Sequence, residues 1–176
     1  EVADNEEELY AWEHSEERLL LLKRHGINLV VSHFSRGFGP GDEAGQQELA
    51  RAFAARCHRH GLRHGSYIPN TIYYESVIKD HPDCESWAVR THDGRLVNFG
   101  GEQTWRWVAC FNSPGWRAYV RAEIGRAIQF AGTDVIHIDN LILWPEPDSC
   151  HCPACREAFR AFLAARYPSP EAQQAR

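Results

Sequence analysis

Apolar residues along the chain fall into two alternating patterns, one with the spacing of a helix face and one of short continuous runs. The first helix pattern, Leu19, Leu20 and Leu22, follows Ser15, a residue type that caps helices, and the continuous run 27–34 comes next. Such runs are typical of strands that are buried on both faces of a parallel sheet. The chain therefore opens with a helix followed by a strand.

The same unit recurs twice further along the chain. A helix pattern that ends at Gly61 precedes a second apolar run at 62–69. Ser113 and Pro114 form a strong helix start, and the helix that they begin precedes a run at 133–140. Both runs are predicted to be strands.

The connection 70–110 is longer than a simple loop needs to be, and it is rich in aromatic residues and glycine. We expect it to contain short helices and a weak third strand at 106–110. A last helix is predicted at 153–166. Its predicted buried face consists of Phe159, Phe162 and Leu163.

Alternating helices and strands predict an α/β protein with a parallel sheet. Neither GxGxxG nor GxxxxGK[ST] follows a predicted strand, which favours a closed barrel over a nucleotide-binding sheet. A complete (β/α)8 barrel takes about 250 residues. We therefore expect residues 1–176 to form one domain, a partial TIM (β/α)8 barrel of about the first four β/α units.

Charge and hydropathy exclude two classes of partner. Lys and Arg number 19 against 24 Asp and Glu, so the formal charge of −5 does not favour nucleic acid. The longest apolar runs are far shorter than the roughly 20 residues of a membrane span. The chain has 0 Met, begins with Glu1 and shows no signal peptide, so we expect a fragment or processed chain, cytoplasmic rather than secreted.

Three of the six cysteines, Cys150, Cys152 and Cys155, fall within six positions, which suits a metal better than a disulfide framework. They lie at a predicted helix start, where amide donors favour thiolates. Zinc prefers four sulfur or nitrogen ligands, and Cys110 is the candidate for the fourth. His151 and Cys84 are alternatives. Reduced thiols without a metal, or an iron–sulfur cluster, also fit this pattern.

Polar residues at the ends of the predicted strands are the candidates for chemistry, because barrel enzymes carry their active sites there. Asp139 is the catalytic candidate and Asn140, which follows it, is a candidate for substrate binding. Aromatic faces stack on sugars and polar groups pair with hydroxyls. The other candidates for substrate binding are His33, Tyr67, Asn70, Glu75 and His137. His137 could instead fill the barrel interior.

Several short motifs occur in one order along the chain. They are the segment 22–28, His81-Pro82-Asp83 before Asp93-Gly94-Arg95, Cys110-Phe111-Asn112-Ser113-Pro114, Asp139-Asn140 and the Cys-x-Cys-x-x-Cys of 150–155. In this combination the chain resembles the catalytic barrel of glycoside hydrolase family 42, the zinc-containing beta-galactosidases, and related uncharacterised glycosidase-like proteins. The resemblance implies a structural zinc bound by Cys110, Cys150, Cys152 and Cys155.

Neither of the catalytic residues that the resemblance implies is found in this chain. The family acid follows Asp-Asn on strand four, and Leu141 stands at that position. The family nucleophile lies on strand seven, beyond the predicted strands. We therefore expect either that Asp139 is the strand-four carboxylate, acting as nucleophile of a retaining reaction, or that hydrolysis has been lost.

Three functions follow as hypotheses. The first is a glycoside hydrolase-like domain that acts on a carbohydrate and carries a structural zinc, inactive as an isolated fragment. The second is a non-catalytic carbohydrate-binding or scaffolding barrel. The third, a zinc hydrolase suggested by the 10 histidines, conflicts with a closed four-sulfur site. The open sheet edges of a half-barrel also favour association into a homo-oligomer.

Overall fold

The computed structural model describes residues 2–139 and 141–169, with the backbone alone for 2–7. The described chain forms five α-helices and five strands. The helices are α1 (Val2–Glu13), α2 (Glu16–Arg24), α3 (Pro40–Arg59), α4 (Pro114–Gln129) and α5 (Pro153–Arg166). The strands are β1 (Leu29–His33), β2 (Arg63–Pro69), β3 (Ile72–Tyr74), β4 (Arg106–Val108) and β5 (Val135–Asp139).

Three strands form a parallel sheet in the order β1–β2–β5. The runs predicted at 27–34, 62–69 and 133–140 supply these strands, with slightly shorter bounds. His33 is in register with Tyr67, and Tyr67 with His137. The α/β class and the parallel pairing of the run 133–140 agree with the sequence prediction.

A strand forms within the predicted 106–110, but its predicted place as the third strand of the barrel is wrong. β4 pairs antiparallel with β3, outside the parallel sheet, and β5 lies directly beside β2. The described chain therefore contributes three strands to the parallel sheet rather than four. The physical reason is that the connection after β2 folds back on itself, since Trp107 of β4 packs edge-on against Tyr73 of β3 with ring centroids 5.6 Å apart.

The connection after β2 builds its own aromatic core. Tyr73, Trp87, Trp107 and Trp116 are all buried there, and the rings of Tyr73 and Trp116 stack at 5.0 Å. The short helices expected in this connection are 3₁₀ helices at Glu75–Lys79 and Cys84–Trp87. Most of the tryptophans of this segment therefore stabilise the fold and are not available to stack on a ligand.

Serine caps fix two of the helix starts as the sequence predicts. Ser15 Oγ accepts a hydrogen bond from the Arg18 amide at 3.1 Å, and Ser113 Oγ accepts one from the Trp116 amide at 3.3 Å. Each bond satisfies one amide that has no partner within its helix. The cap at Ser113 fixes the start of α4 at Pro114, four residues after Cys110.

The two faces of the parallel sheet differ in what covers them. One face carries Ile68 and packs on Ala50 of α3 and Ala127 of α4. On the other face, Val31 is 44% exposed and the central position is Gly65, whose Cβ would lie 2.9 Å from Val31 Cγ2. A larger residue at position 65 would require the Val31 side chain to shift. In a closed barrel this face would be the interior.

Helix α5 forms at the predicted position, but its apolar face is not buried. Phe159 is 60% exposed and Phe162 is 59% exposed, and the two rings stack on one another at 6.4 Å. The interpretation of Phe159, Phe162 and Leu163 as a core face is wrong for the described chain, which packs no element against them. None of the described helices combines the length and apolar character needed to cross a bilayer.

Candidate metal centre and candidate active site

Four cysteines from two distant segments meet beside the start of α5. Cys110 follows β4, and Cys150, Cys152 and Cys155 lie in the loop and the first turn of α5. Their sulfur atoms all lie within 4.8 Å of one another. The structure thus brings together the four cysteines that the sequence singles out, whereas Cys84, an alternative ligand, is buried in the aromatic core.

The separations among the sulfurs fit a single tetrahedral ion. Cys110 Sγ lies 3.5 Å from Cys152 Sγ and 3.4 Å from Cys155 Sγ. With Zn–S bonds of about 2.3 Å, the corners of a sulfur tetrahedron are about 3.8 Å apart. Disulfide bonding requires about 2.05 Å, and all six cysteines are free.

Two N–H groups donate hydrogen bonds to the sulfurs of the cluster. Asn112 Nδ2 donates to Cys155 Sγ at 3.3 Å, and the Cys155 amide donates to Cys152 Sγ at 3.5 Å. Donors of this kind stabilise thiolate over thiol. The donor set is therefore that of a thiolate site for a soft or borderline cation.

The four thiols also perturb each other. A hydrogen bond from Cys110 lowers the pKa of Cys150 to about 4, and the same bond raises the pKa of Cys110 well above its usual range. Burial raises the pKa of Cys155 to about 11. Without a cation the cluster favours one thiolate among neighbouring thiols, because four negative charges at this distance repel one another strongly.

A second group of residues lies at the carboxyl end of the parallel sheet. His33, Tyr67 and His137 occupy one row across the three strands, and Asp139 follows two positions above His137 on the same face. The His33 and Tyr67 rings are 5.0 Å apart and the Tyr67 and His137 rings 5.6 Å apart. We call these four residues the rim row.

One hydrogen bond and two pKa shifts characterise the rim row. Tyr67 Oη donates to Asp139 Oδ2 at 2.7 Å. Burial, followed by this bond, raises the pKa of Tyr67 to about 12. Partial burial of the ring together with nearby Arg36 lowers the pKa of His33, which favours its neutral form. At neutral pH the row therefore presents a protonated phenol and an uncharged imidazole.

The remaining predicted site residues are placed differently. Asn70 immediately follows β2, and its carbonyl accepts a hydrogen bond from Trp116 Nε1 at 3.1 Å. Glu75 is exposed at the start of a 3₁₀ helix, and its backbone amide donates to the Trp105 carbonyl at 2.9 Å. Asn140 lies outside the described residues. The substrate-binding roles of these residues stay predictions.

An open groove of about 680 Å³ lies between α4 and the segments that follow β2 and β5. Asn70 and Leu141 form one side of it, and Trp116 with neighbouring residues of α4 forms the other. Its volume is within the usual range of small-molecule sites, about 300–1,000 Å³. Leu141, which stands where the resemblance places the family acid, is 73% exposed and lines this groove.

One supporting residue was not predicted from the sequence. Glu43, in the first turn of α3, is buried and accepts a hydrogen bond from Ser35 Oγ at 2.8 Å and another from the Arg36 amide. It holds the loop that follows His33. Its only signal in the sequence is an acidic residue in the first turn of a helix, which is too common to indicate such a role.

Comparison with known proteins identifies the family. The profile described as beta-galactosidase, glycoside hydrolase family 42, matches residues 74–175, more than half of the 176 residues. The beta-galactosidase of Thermus thermophilus is 34% identical over 84 residues, which are 46% of this chain and 12% of that protein. The aligned part thus spans about an eighth of that relative. Beta-galactosidase BgaA of a Thermus species matches with the same identity and coverage.

Solved structures show the same fold. The beta-galactosidase of Halorubrum lacusprofundi superposes with a TM-score of 0.63 and 21% identity, over 93% of this chain and 24% of that one. A hypothetical protein from Ruminiclostridium thermocellum superposes with a TM-score of 0.56 and 20% identity, over 90% of this chain and 89% of that one. On the profile match, the chain belongs to glycoside hydrolase family 42, the beta-galactosidase family.

Proposed function

We propose that the chain is part of a glycoside hydrolase in which Asp139 is a catalytic carboxylate. The observation that carries the proposal is the position of Asp139 at the carboxyl end of a parallel strand, on the face that α3 and α4 leave uncovered. Enzymes built on (β/α)8 barrels place their reacting groups at this end.

We propose further that the four cysteines bind one zinc ion with a structural role. Sulfur atoms within 4.8 Å of one another suit a single ion rather than a cluster of several irons, in which each sulfur would bind a separate metal. Four thiolates complete the tetrahedron and leave no position for water. The ion would cross-link the end of β4 to the start of α5, and so fix the loop that follows Asp139.

In the proposed reaction an Asp139 oxygen forms a bond to the anomeric carbon of the sugar. The bond from that carbon to the glycosidic oxygen breaks, and its electron pair goes to the leaving oxygen, which takes a proton from a second carboxylic acid. Water, deprotonated by the same second group, then attacks the anomeric carbon and releases the Asp139 carboxylate. The net reaction is hydrolysis with retention of configuration.

The second carboxylic acid belongs, in this proposal, to another segment of the full-length protein. The family resemblance places that acid at position 141, where this chain has leucine, and a leucine side chain cannot donate a proton. The relatives are described as beta-galactosidases, so aryl β-galactosides are the first substrates to test. The substrate class proposed is a carbohydrate glycoside.

The test is the turnover of an aryl β-galactoside by the full-length protein with Asp139→Asn. Loss of the nucleophile should lower kcat by roughly 10⁴-fold or more, as for other enzyme nucleophiles. Asp134→Asn is the matched control. Asp134 precedes β5 at the opposite end of the sheet, where it accepts hydrogen bonds from His58 and from the His64 amide, both at 2.8 Å. An unchanged rate in Asp139→Asn would exclude the proposed role.

The exposed Leu141 favours a second candidate function, a carbohydrate-binding barrel without hydrolysis. That function predicts measurable sugar affinity by calorimetry and no turnover of any aryl glycoside by the wild-type protein. Turnover that depends on Asp139 would exclude it.

A further inference from the structure

The phenol of Tyr67 and the carboxylate of Asp139 form a cross-strand pair. Tyr67 is in register with His137, and Asp139 lies two positions further along β5 on the same face. The Tyr67 side chain therefore reaches one layer upward along the sheet to donate its hydrogen bond at 2.7 Å. A bond of this length to a charged acceptor belongs to the stronger class of hydrogen bonds.

The Tyr67 ring is held from both sides. His33 on one neighbouring strand meets it nearly edge-on, with an interplanar angle of 70°, and His137 on the other meets it at 50°. Such contacts restrict the ring because moving it would require moving two imidazoles. With the pKa of the phenol raised to about 12, the hydroxyl remains a donor throughout the neutral range.

We infer that Tyr67 is a positioning residue for Asp139, and that it serves the carboxylate rather than the sugar. The inference rests on the proposed role of Asp139. A carboxylate can rotate about its terminal torsion, and a fixed donor on Oδ2 selects one orientation, so that the other oxygen is held for attack. The sequence suggested instead that the ring of Tyr67 stacks on substrate, yet that ring already packs between His33 and His137.

The kinetic test uses the full-length protein and a 2,4-dinitrophenyl β-galactoside, whose leaving group departs as a phenolate and needs no proton. Tyr67→Phe keeps the ring and removes only the hydroxyl. We expect kcat to fall about 10–100-fold, the rate equivalent of one hydrogen bond to a charged group. We expect KM to stay within about 2-fold, since ground-state binding of the sugar is not altered. A raised KM with an unchanged kcat would overturn the inference in favour of a sugar contact.

Tyr73→Phe is the matched control for the loss of a tyrosine hydroxyl. Tyr73 Oη donates to the Cys84 carbonyl at 2.7 Å in the aromatic core, so the variant loses a bond of the same length away from the rim row. It should lower stability and leave kcat unchanged. If both tyrosine variants lower kcat equally, the effect of Tyr67→Phe is structural and the inference is wrong.

A second measurement separates this inference from the proposed function. Urea unfolding of Tyr67→Phe, Asp139→Asn and the double variant forms a cycle that does not depend on turnover. We expect the double variant to differ from the sum of the single variants, and additive effects would overturn the pairing. If Asp139→Asn keeps full activity while the cycle shows coupling, the proposed function fails and the contact stands. If Asp139→Asn is inactive while Tyr67→Phe has the wild-type kcat, only the inference fails.

Discussion

The cysteine cluster and the rim row lie on either side of one loop, the segment between β5 and α5, and they are built in opposite ways. The cluster takes all four of its sulfurs from within the described chain, and Cys110 and Cys152 are buried. The rim row lies on an uncovered sheet face, with both of its histidines exposed. A cross-linking metal site can be completed by two segments, whereas a glycosidase site draws groups from several strands of a barrel.

The two sites therefore depend on the rest of the protein to different degrees. The cluster should bind its ion and stabilise the fold whether or not the rim row is active. The rim row should depend on the cluster, because the loop that follows Asp139 is anchored at Cys150 and Cys152. Loss of the cysteine cluster should therefore affect both stability and activity, whereas a change in the rim row should affect mainly activity.

The largest expected effect is that of Cys152→Ser in the full-length protein. Metal analysis of the wild type should return about one zinc per chain, and the variant should lose it. Because thiolate binding contributes directly to the folding free energy, the variant should also unfold at much lower denaturant concentration, as should the wild type after chelation.

Cys84→Ser is the control for this substitution. Cys84 is also fully buried, but it belongs to the aromatic core and not to the cluster. The control should keep its zinc even if the changed core lowers its stability. A correctly folded wild-type protein without metal would contradict the prediction. Loss of zinc in Cys84→Ser would indicate that Cys84 is one of the ligands.

An intermediate effect is expected from Asn112→Ala. The side-chain amide of Asn112 donates to Cys155 Sγ at 3.3 Å. Mutation of a residue that hydrogen-bonds a metal ligand typically lowers metal affinity about 10–100-fold. Competition with a chromophoric chelator should show zinc affinity lowered by about that factor. Ser149→Ala is the control, since Ser149 bonds Glu146 and His151 in the same loop. Equal affinities of Asn112→Ala and the wild type would show that the amide does not act on the metal site.

The difference between the two sites also explains how well each could be predicted. Three cysteines within six positions restrict where their sulfurs can lie, so local spacing sufficed for most of the cluster. The bond between Tyr67 and Asp139 depends on the register of β2 against β5, which neither strand specifies alone. The sequence identified both residues as candidates but could not pair them.

Strand assignment shows the same limit. The continuous apolar runs predicted the three parallel strands, because a barrel strand faces helices on one side and the barrel interior on the other and so carries apolar residues on both. β4 has three residues, and its pairing with β3 is decided by the aromatic core around Tyr73 and Trp107. Helix α5 has a clear apolar face in the sequence, but an amphipathic pattern does not specify the element against which that face will pack.

The smallest expected effect concerns Glu43, which supports the loop after His33 from behind the sheet. Burial raises the pKa of Glu43 above its ordinary value of 4.5, opposed by the hydrogen bonds from the Arg36 amide and Ser35. A raised pKa means that the folded state keeps its proton at a pH where the unfolded state has lost it. The contribution of this group to stability is therefore fully present below about pH 4.5 and is lost as the pH rises through the raised pKa.

Glu43→Gln should remove this dependence and should gain stability relative to the wild type as the pH rises, because the amide carries no charge to be buried. Urea unfolding of wild type and variant from pH 4 upward measures both effects. The difference in stability between wild type and variant should decrease with rising pH in the acidic range. Glu48→Gln, an exposed site on the same helix that pairs with Arg51, should give a nearly flat difference. A difference that grows with pH would mean that the hydrogen bonds to Glu43 outweigh the cost of burying its charge. The loop after His33 would then be supported by a stabilised carboxylate.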